Sequence, residues 1–170
     1  SQFVARIPDG VDLRSASLAE PLAVVLKGLT RLRRALPPSS GKSRRCLVAG
    51  AGPQGHFCAQ VLALQGHEVT VYERNPARRE VLASSDVAVT DTLAHLETFD
   101  VMVELTGDSQ VLETMLVQSP PGATILLLEV PSQHERFSLQ DPVAYDKTLV
   151  GSVGSGVAEI EQPLDTLPSL

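Results

Sequence analysis

The sequence predicts an α/β fold: a doubly wound parallel sheet inside three layers, α/β/α. Three observations carry that reading. Short apolar runs alternate with stretches of helical spacing, as crossover-connected parallel strands require. The run Leu47–Ala49 leads into Gly50, Gly52 and Gly55, a G-x-G-x-x-G turn that opens a helix. The next run, Glu68–Tyr72, is closed by the acidic Glu73. In such a unit the first glycine permits a tight turn, the second lets the backbone approach a pyrophosphate, and the third lets helix and strand pack closely. A carboxylate after the second strand stands where a ribose diol would donate hydrogen bonds.

In chain order, Ser1 to Asp12 reads as an extended arm, with Ile7-Pro8-Asp9-Gly10 as a turn. The division expected is an arm over 1–14 and one nucleotide-binding domain over 15–170. A helix follows, with Leu18, Leu22, Val25, Leu26, Leu29, Leu32 and Leu36 on one face. Glu20 and Pro21 suit its first turn. Lys27, Arg31, Arg33 and Arg34 read as cations gathered toward its carbonyl end. Pro37 to Gly41 is a linker. Gly41-Lys42-Ser43 mimics the end of a phosphate-binding loop, but Leu36 stands where that loop needs glycine and the strand comes after it.

Past the glycine turn, Pro53 fits the first helical turn, where a missing N–H costs nothing, and the helix runs on through His56 to Gly66. Its free amides and positive dipole end form an anion site. Asn75-Pro76 starts a short helix ending at Ala83. Val87–Thr90 is a short strand, and 91–98 a loop or brief helix. Asp100–Leu105 is a buried strand leading to Thr106-Gly107. Ser109–Gln118 is a helix with Val111, Leu112, Met115 and Leu116 on its apolar side. Ala123–Val130 is a long buried strand stopped by Pro131. Lys147–Gly151 is the last strand, and Ser152 to Gly156 turns into a helix from Val157 onward.

At 170 residues the chain can bury a substantial core. A net charge of −6 with no long basic run disfavours nucleic acid as a partner. No apolar run reaches membrane-spanning length, and the first residues lack the form of a secretory signal. Cys46 and Cys58 fall in the first strand and its helix, the place of buried free thiols, which suits a reducing cytoplasm. The 4 histidines are scattered and lack metal-ligand spacing.

Laid out this way, the chain resembles the nucleotide-binding domain of the medium-chain dehydrogenase/reductase family, the zinc alcohol, polyol and threonine dehydrogenases. Arg6-Ile7-Pro8-Asp9-Gly10, then Leu18-Ala19-Glu20-Pro21-Leu22-Ala23, looks like that family's passage into its nucleotide domain. Asp100 to Leu105 before Thr106-Gly107, Pro121-Gly122-Ala123 before a strand, and Gly151-Ser152-Val153-Gly154 follow in the family's order.

The resemblance implies a Rossmann fold binding NAD, with NADP as the alternative. Gly50, Gly52, Pro53 and Gly55 would face the pyrophosphate. Glu73 would meet the adenosine ribose, and Arg74 could pair a 2′-phosphate instead. Thr106, Gly107, Val130, Pro131, Ser152 and Val153 would lie around the nicotinamide. Glu20 matches an acidic position that approaches a catalytic zinc, and equally suits a helix start. Gln54 departs from the pattern, standing where the family usually carries an aliphatic side chain behind the nicotinamide.

The β-rich catalytic domain with its Cys, His and Glu zinc ligands is absent from this sequence, so an excised nucleotide domain or a stand-alone relative is expected. The function implied is the cofactor domain of an enzyme that oxidises a small-molecule alcohol by hydride transfer, with zinc only in the missing domain. The alternatives are a nucleotide-binding module without its own chemistry and an adenosyl-methionine methyltransferase, against which the pyrophosphate-type glycines argue. A homodimer is expected beside the alternating segment His134 to Leu139, which the resembled family would use as an edge.

Overall fold

The computed structural model describes residues 6–37, 43–83, 85, 87–131, 136–156 and 160. Its strands are β1 (Arg45–Ala49), β2 (Glu68–Tyr72), β3 (Ala88–Thr90), β4 (Val101–Glu104), β5 (Thr124–Leu127) and β6 (Thr148–Gly151). All pair in parallel in the order β3-β2-β1-β4-β5-β6. The order reverses between β1 and β4, which opens a crevice at the strands' carboxyl ends. Register aligns that end sharply, since Ala49 lies beside both Tyr72 and Glu104. The residues that follow, Gly50, Glu73 and Leu105, therefore leave the sheet side by side.

The helices are α1 (Leu13–Ala16), α2 (Ala19–Ala35), α3 (Pro53–Leu64), α4 (Pro76–Leu82), α5 (Ser109–Gln118) and α6 (Gln140–Ala144), with a 3-10 turn at Leu96–Thr98. Alternate strand residues feed two cores. Cys46, Val48, Val71, Val103 and Leu126 pack beneath α2 and α3 with Val25, Leu29, Cys58 and Leu62. On the opposite face Leu47, Met102 and Ile125 meet Val111, Leu112 and Met115 of α5. Each fully buried side chain of this size contributes about 1.5–3 kcal/mol, so the two faces together hold the layers in place. This is the doubly wound three-layer sandwich that the alternation predicts.

Several boundaries differ. The expected arm over 1–14 ends in α1, because the Asp12 side chain accepts from the amides of Arg14 at 2.9 Å and Ser15 at 3.1 Å and caps a helical turn there. The long strand expected to Val130 stops at Leu127, where the ladder to β6 ends at Gly151. Val130 is 65% exposed. Of the segment 134–139, His134 and Glu135 lie outside the described residues, and 136–139 form no strand. Phe137 packs instead on the α5-side core, and among the described residues the sheet ends at β6 on this side. The helix expected from Val157 falls outside the described residues except at Ile160, which is helical. Cys46 and Cys58 are buried free thiols, as expected, and burial pushes the Cys46 pKa up to about 12.

Candidate functional site in the strand-end crevice

The turn after β1 needs glycine at two of its three glycine positions, once for the backbone angle and once for a contact. Gly50 has φ +106°, and its amide donates to the Tyr72 carbonyl at 2.8 Å. A Cβ on Gly55 would stand 1.9 Å from the Gly50 carbonyl oxygen, so helix and turn touch backbone to backbone. Gly52 is different. It is the N-cap of α3, and a Cβ there would meet nothing within 4 Å. Open space therefore lies over the helix end whose amides and dipole favour an anion.

Glu73 is only 8% exposed and ties the turn together. Its Oε2 accepts from the Ala51 amide at 2.9 Å and its Oε1 from the Asn75 amide at 2.8 Å. The Arg78 guanidinium lies 3.7 Å from Oε2. Burial works against the charge, but the Asn75 and Ala51 amides and Arg78 outweigh it and hold the carboxyl below its ordinary pKa. Arg74, the neighbouring residue, donates to Asp108 Oδ2 at 2.8 Å. Arg79 donates to the carbonyls of both Glu73 and Arg74 at 2.8 Å, which fixes the bend after β2.

Beyond β4, Glu104 is 2% exposed. It accepts from the Thr106 amide at 2.6 Å, from the Thr106 hydroxyl, and from the Gly107 amide at 3.3 Å. Burial pushes its pKa up against those hydrogen bonds, and the charge of Glu129 adds to the rise. Glu104 is not among the site residues expected from the sequence. The available signal was a single carboxylate closing an otherwise apolar strand.

Three clefts meet along the crevice. The first, about 180 Å³, is lined by Gly50, Gly52, Glu73, Arg74, Arg78 and Thr106. The second, about 350 Å³, shares Gly52 with it and adds Pro21, Pro53, Gln54, Gly55 and Glu129. The third, about 400 Å³, shares Glu129 and is lined by Lys27, Arg31, Val130, Ser152 and Val153 among others. Most of the residues singled out in the sequence thus come together on one ledge. Gly107 (φ +65°) lies beside it, since a Cβ there would come 3.1 Å from Glu129. Pro131 is exposed after Val130, and Glu20 is exposed in the first turn of α2, next to the cleft-lining Pro21.

Two buried polar atoms on the ledge have no hydrogen-bond partner, Gln54 Oε1 and Ser152 Oγ. Such atoms are costly unless a ligand or water meets them. Lys27 and Arg31 depart from their expected role as helix-end cations. One turn apart on α2, they share a face and point to β6. Lys27 Nζ donates to the carbonyls of Val153 at 3.0 Å and Gly154 at 3.3 Å, and Arg31 Nε to that of Gly151 at 3.0 Å. They pin the segment carrying Ser152 and Val153.

Among the described residues, no group of three or more His, Cys, Asp or Glu side chains could hold a metal ion. No helix among them is long and apolar enough to cross a membrane.

A family profile described as Glucose dehydrogenase C-terminus matches residues 13–170. The chain is 31% identical to Glucose 1-dehydrogenase 2 of Vulcanisaeta moutnovskia, over 98% of this chain and 51% of that protein. It is 32% identical to Glucose 1-dehydrogenase 1 of Caldivirga maquilingensis, over 95% of this chain and 49% of that one. It thus spans about half the length of these curated relatives. In structure it is similar to S. aureus TarJ in complex with NADPH, with a TM-score of 0.82, 22% identity, and coverage of 98% of this chain and 53% of that one.

Proposed function

Because the chain belongs to the glucose dehydrogenase C-terminus family of cofactor-binding domains, we propose that its crevice binds a nicotinamide dinucleotide for an alcohol or polyol dehydrogenase. The observation that carries this reading is the cradle at the start of α3. Gly55 leaves no room for a Cβ, while the space over Gly52 is open. The close contact at Gly55 sets the helix start against the turn, and the open space over Gly52 at its amides suits a compact anionic centre such as a pyrophosphate.

The residues present fit such a ligand along its length. Gly50, Gly52, Pro53 and Gly55 would hold the pyrophosphate, and the cleft of Glu73, Arg74 and Arg78 would take the adenosine ribose. Glu73 Oε2 accepts from the Ala51 amide and faces Arg78, while Oε1 accepts from the Asn75 amide alone and keeps a lone pair for a ribose hydroxyl. Thr106, Gly107, Val130, Pro131, Ser152 and Val153 would surround the nicotinamide. The unpartnered Gln54 and Ser152 oxygens lie on that side and are available to a polar group. Bound there, the nicotinamide accepts or gives a hydride at C4. This chain's own work is to bind it, orient it and exclude water from one wall of the cleft.

NAD is the cofactor proposed, because the charge of Glu73 repels a 2′-phosphate. Residues 1–14 are read as the passage from a catalytic domain outside this chain. The zinc expected of the resembled branch is assigned to that domain, with Glu20 facing it from α2. The alcohol would be held there too. A homodimer across the open edge of β6, where Leu149 is 38% exposed, and a cytoplasmic location complete the reading. Calorimetric titration of the 170-residue chain with NAD, NADP and ADP tests its centre. Binding of a dinucleotide, lost in Gly52→Val, is expected; no binding of any of the three would overturn it.

A further inference from the structure

Arg74 leaves the sheet after β2, and Asp108 is the N-cap of α5 after β4. The strand between them is β1, so their 2.8 Å ion pair reaches across the width of the glycine turn. Two strand spacings, about 10 Å, separate the main chains it joins. Arg74 lines the cleft shared by Gly50, Glu73, Arg78 and Thr106, and the pair draws its guanidinium toward Asp108, which is not part of that lining. The other arginines at this end are also engaged. Arg78 faces Glu73, and Arg79 holds two carbonyls and lies 3.4 Å from Asp91. The Arg74 side chain is 64% exposed and is held by Asp108, a carboxylate outside the cleft lining, whereas Arg78 is held by Glu73, which lines the cleft itself; releasing Asp108 therefore frees Arg74 without disturbing that lining.

We propose that Asp108 is a specificity-determining residue, which holds Arg74 away from the position of a 2′-phosphate and so disfavours NADP. The inference rests on dinucleotide binding in this crevice. A 2′-phosphate carries a charge of about −1.5 to −2 and seeks a guanidinium fork, whereas a free 2′-hydroxyl does not. To pair with the phosphate, Arg74 must leave Asp108, and the freed carboxylate then stands close to a second anion. NAD makes neither demand. Acting through Arg74, Asp108 thus adds to the discrimination that Glu73 exerts in the cleft.

Asp108→Asn tests this cleanly. Its side-chain oxygen can still accept from the Gln110 amide, a bond now 2.9 Å long, so the cap on α5 is kept while the charge goes. Titration calorimetry with NAD and NADP is expected to show NADP binding tightened about five- to twentyfold, since an exposed ion pair and a repulsion are both removed. NAD binding should change by less than about twofold. In the Arg74→Gln background the same Asp108→Asn change should give a clearly smaller gain, that of the removed repulsion alone, because the freed guanidinium is missing. An equal shift for both dinucleotides, or a full NADP gain without Arg74, would overturn the inference while leaving the binding site intact. Failure of the parent chain to bind either dinucleotide would instead remove the proposed function and this inference with it.

Discussion

The Ala51 amide donates to Glu73 Oε2 across 2.9 Å, joining the glycine turn to the end of the neighbouring strand. The second carboxylate oxygen takes the Asn75 amide. One side chain therefore satisfies two backbone donors that neither the sheet nor a helix can serve. Glu73→Gln has one carbonyl oxygen for the two amides and turns an NH₂ toward the other. A cost of about 1–3 kcal/mol in unfolding free energy is expected, as for an unsatisfied buried donor. Urea titration of both proteins measures it, and an unchanged midpoint would show that the link does not stabilise the turn.

Two buried glutamates should give stability–pH profiles of opposite slope. The folded pKa of Glu73 lies below its ordinary 4.5. Its contribution is full above the unfolded value and is lost as pH falls through the lowered folded one. The folded pKa of Glu104 lies above 4.5 because burial dominates. Its contribution is full below the unfolded value and is lost as pH rises through the raised folded one. Unfolding free energies of the parent and of Glu73→Gln and Glu104→Gln, taken from mildly acidic to more acidic pH, separate the two. The parent-minus-variant difference should shrink on acidification for Glu73 and grow for Glu104.

Gly55→Ala and Gly52→Ala should fail in different ways. A methyl at 55 meets a backbone oxygen at 1.9 Å, so the turn or α3 must move, at about 1–3 kcal/mol or more. At 52 the methyl has room and φ is −71°, so folding should change by less than about 1 kcal/mol. Dinucleotide affinity should fall in both, because the methyl at 52 occupies the open space over the helix end. Thermal unfolding paired with NAD titration distinguishes them. Full NAD affinity in Gly52→Ala would argue that the pyrophosphate does not lie there.

Lys27→Met removes the donor that holds the carbonyls of Val153 and Gly154. The wall carrying Ser152 and Val153 should loosen while the adenosine end is untouched. NAD affinity is expected to fall about three- to tenfold, the value of a partly exposed charged hydrogen bond, with ADP affinity unchanged. Lys27→Arg should restore part of the loss. Equal weakening of NAD and ADP would point to a general loss of structure instead.

The chain by itself should bind a dinucleotide and oxidise no alcohol measurably, and added zinc should change neither property. Catalysis needs the substrate held against the cofactor and an electrophile to stabilise the alkoxide, and both are assigned to a domain outside this chain. Alcohol-dependent NADH absorbance from residues 1–170 alone would overturn that division.

By itself the sequence determined the alternating strands and longer helices and the turn that joins the first strand to α3, but not the short α1 and α6 or the end of β5. Those features are written in local periods: strand runs packed on both faces, helical spacing in α2 and α5, and glycines where the backbone must turn or touch. Even Asn75 and Pro76 announce the start of α4 within two residues. Only the tertiary structure decided where the polar groups spend their hydrogen bonds. Glu73 meets Ala51 across 22 positions and Arg74 meets Asp108 across 34, while Lys27 finds Val153 across 126. No local pattern encodes such pairings. They follow from strand order, which sets β2 and β4 on either side of β1 and lays α2 against β6, and from the need of each buried or half-buried charge for a partner within reach.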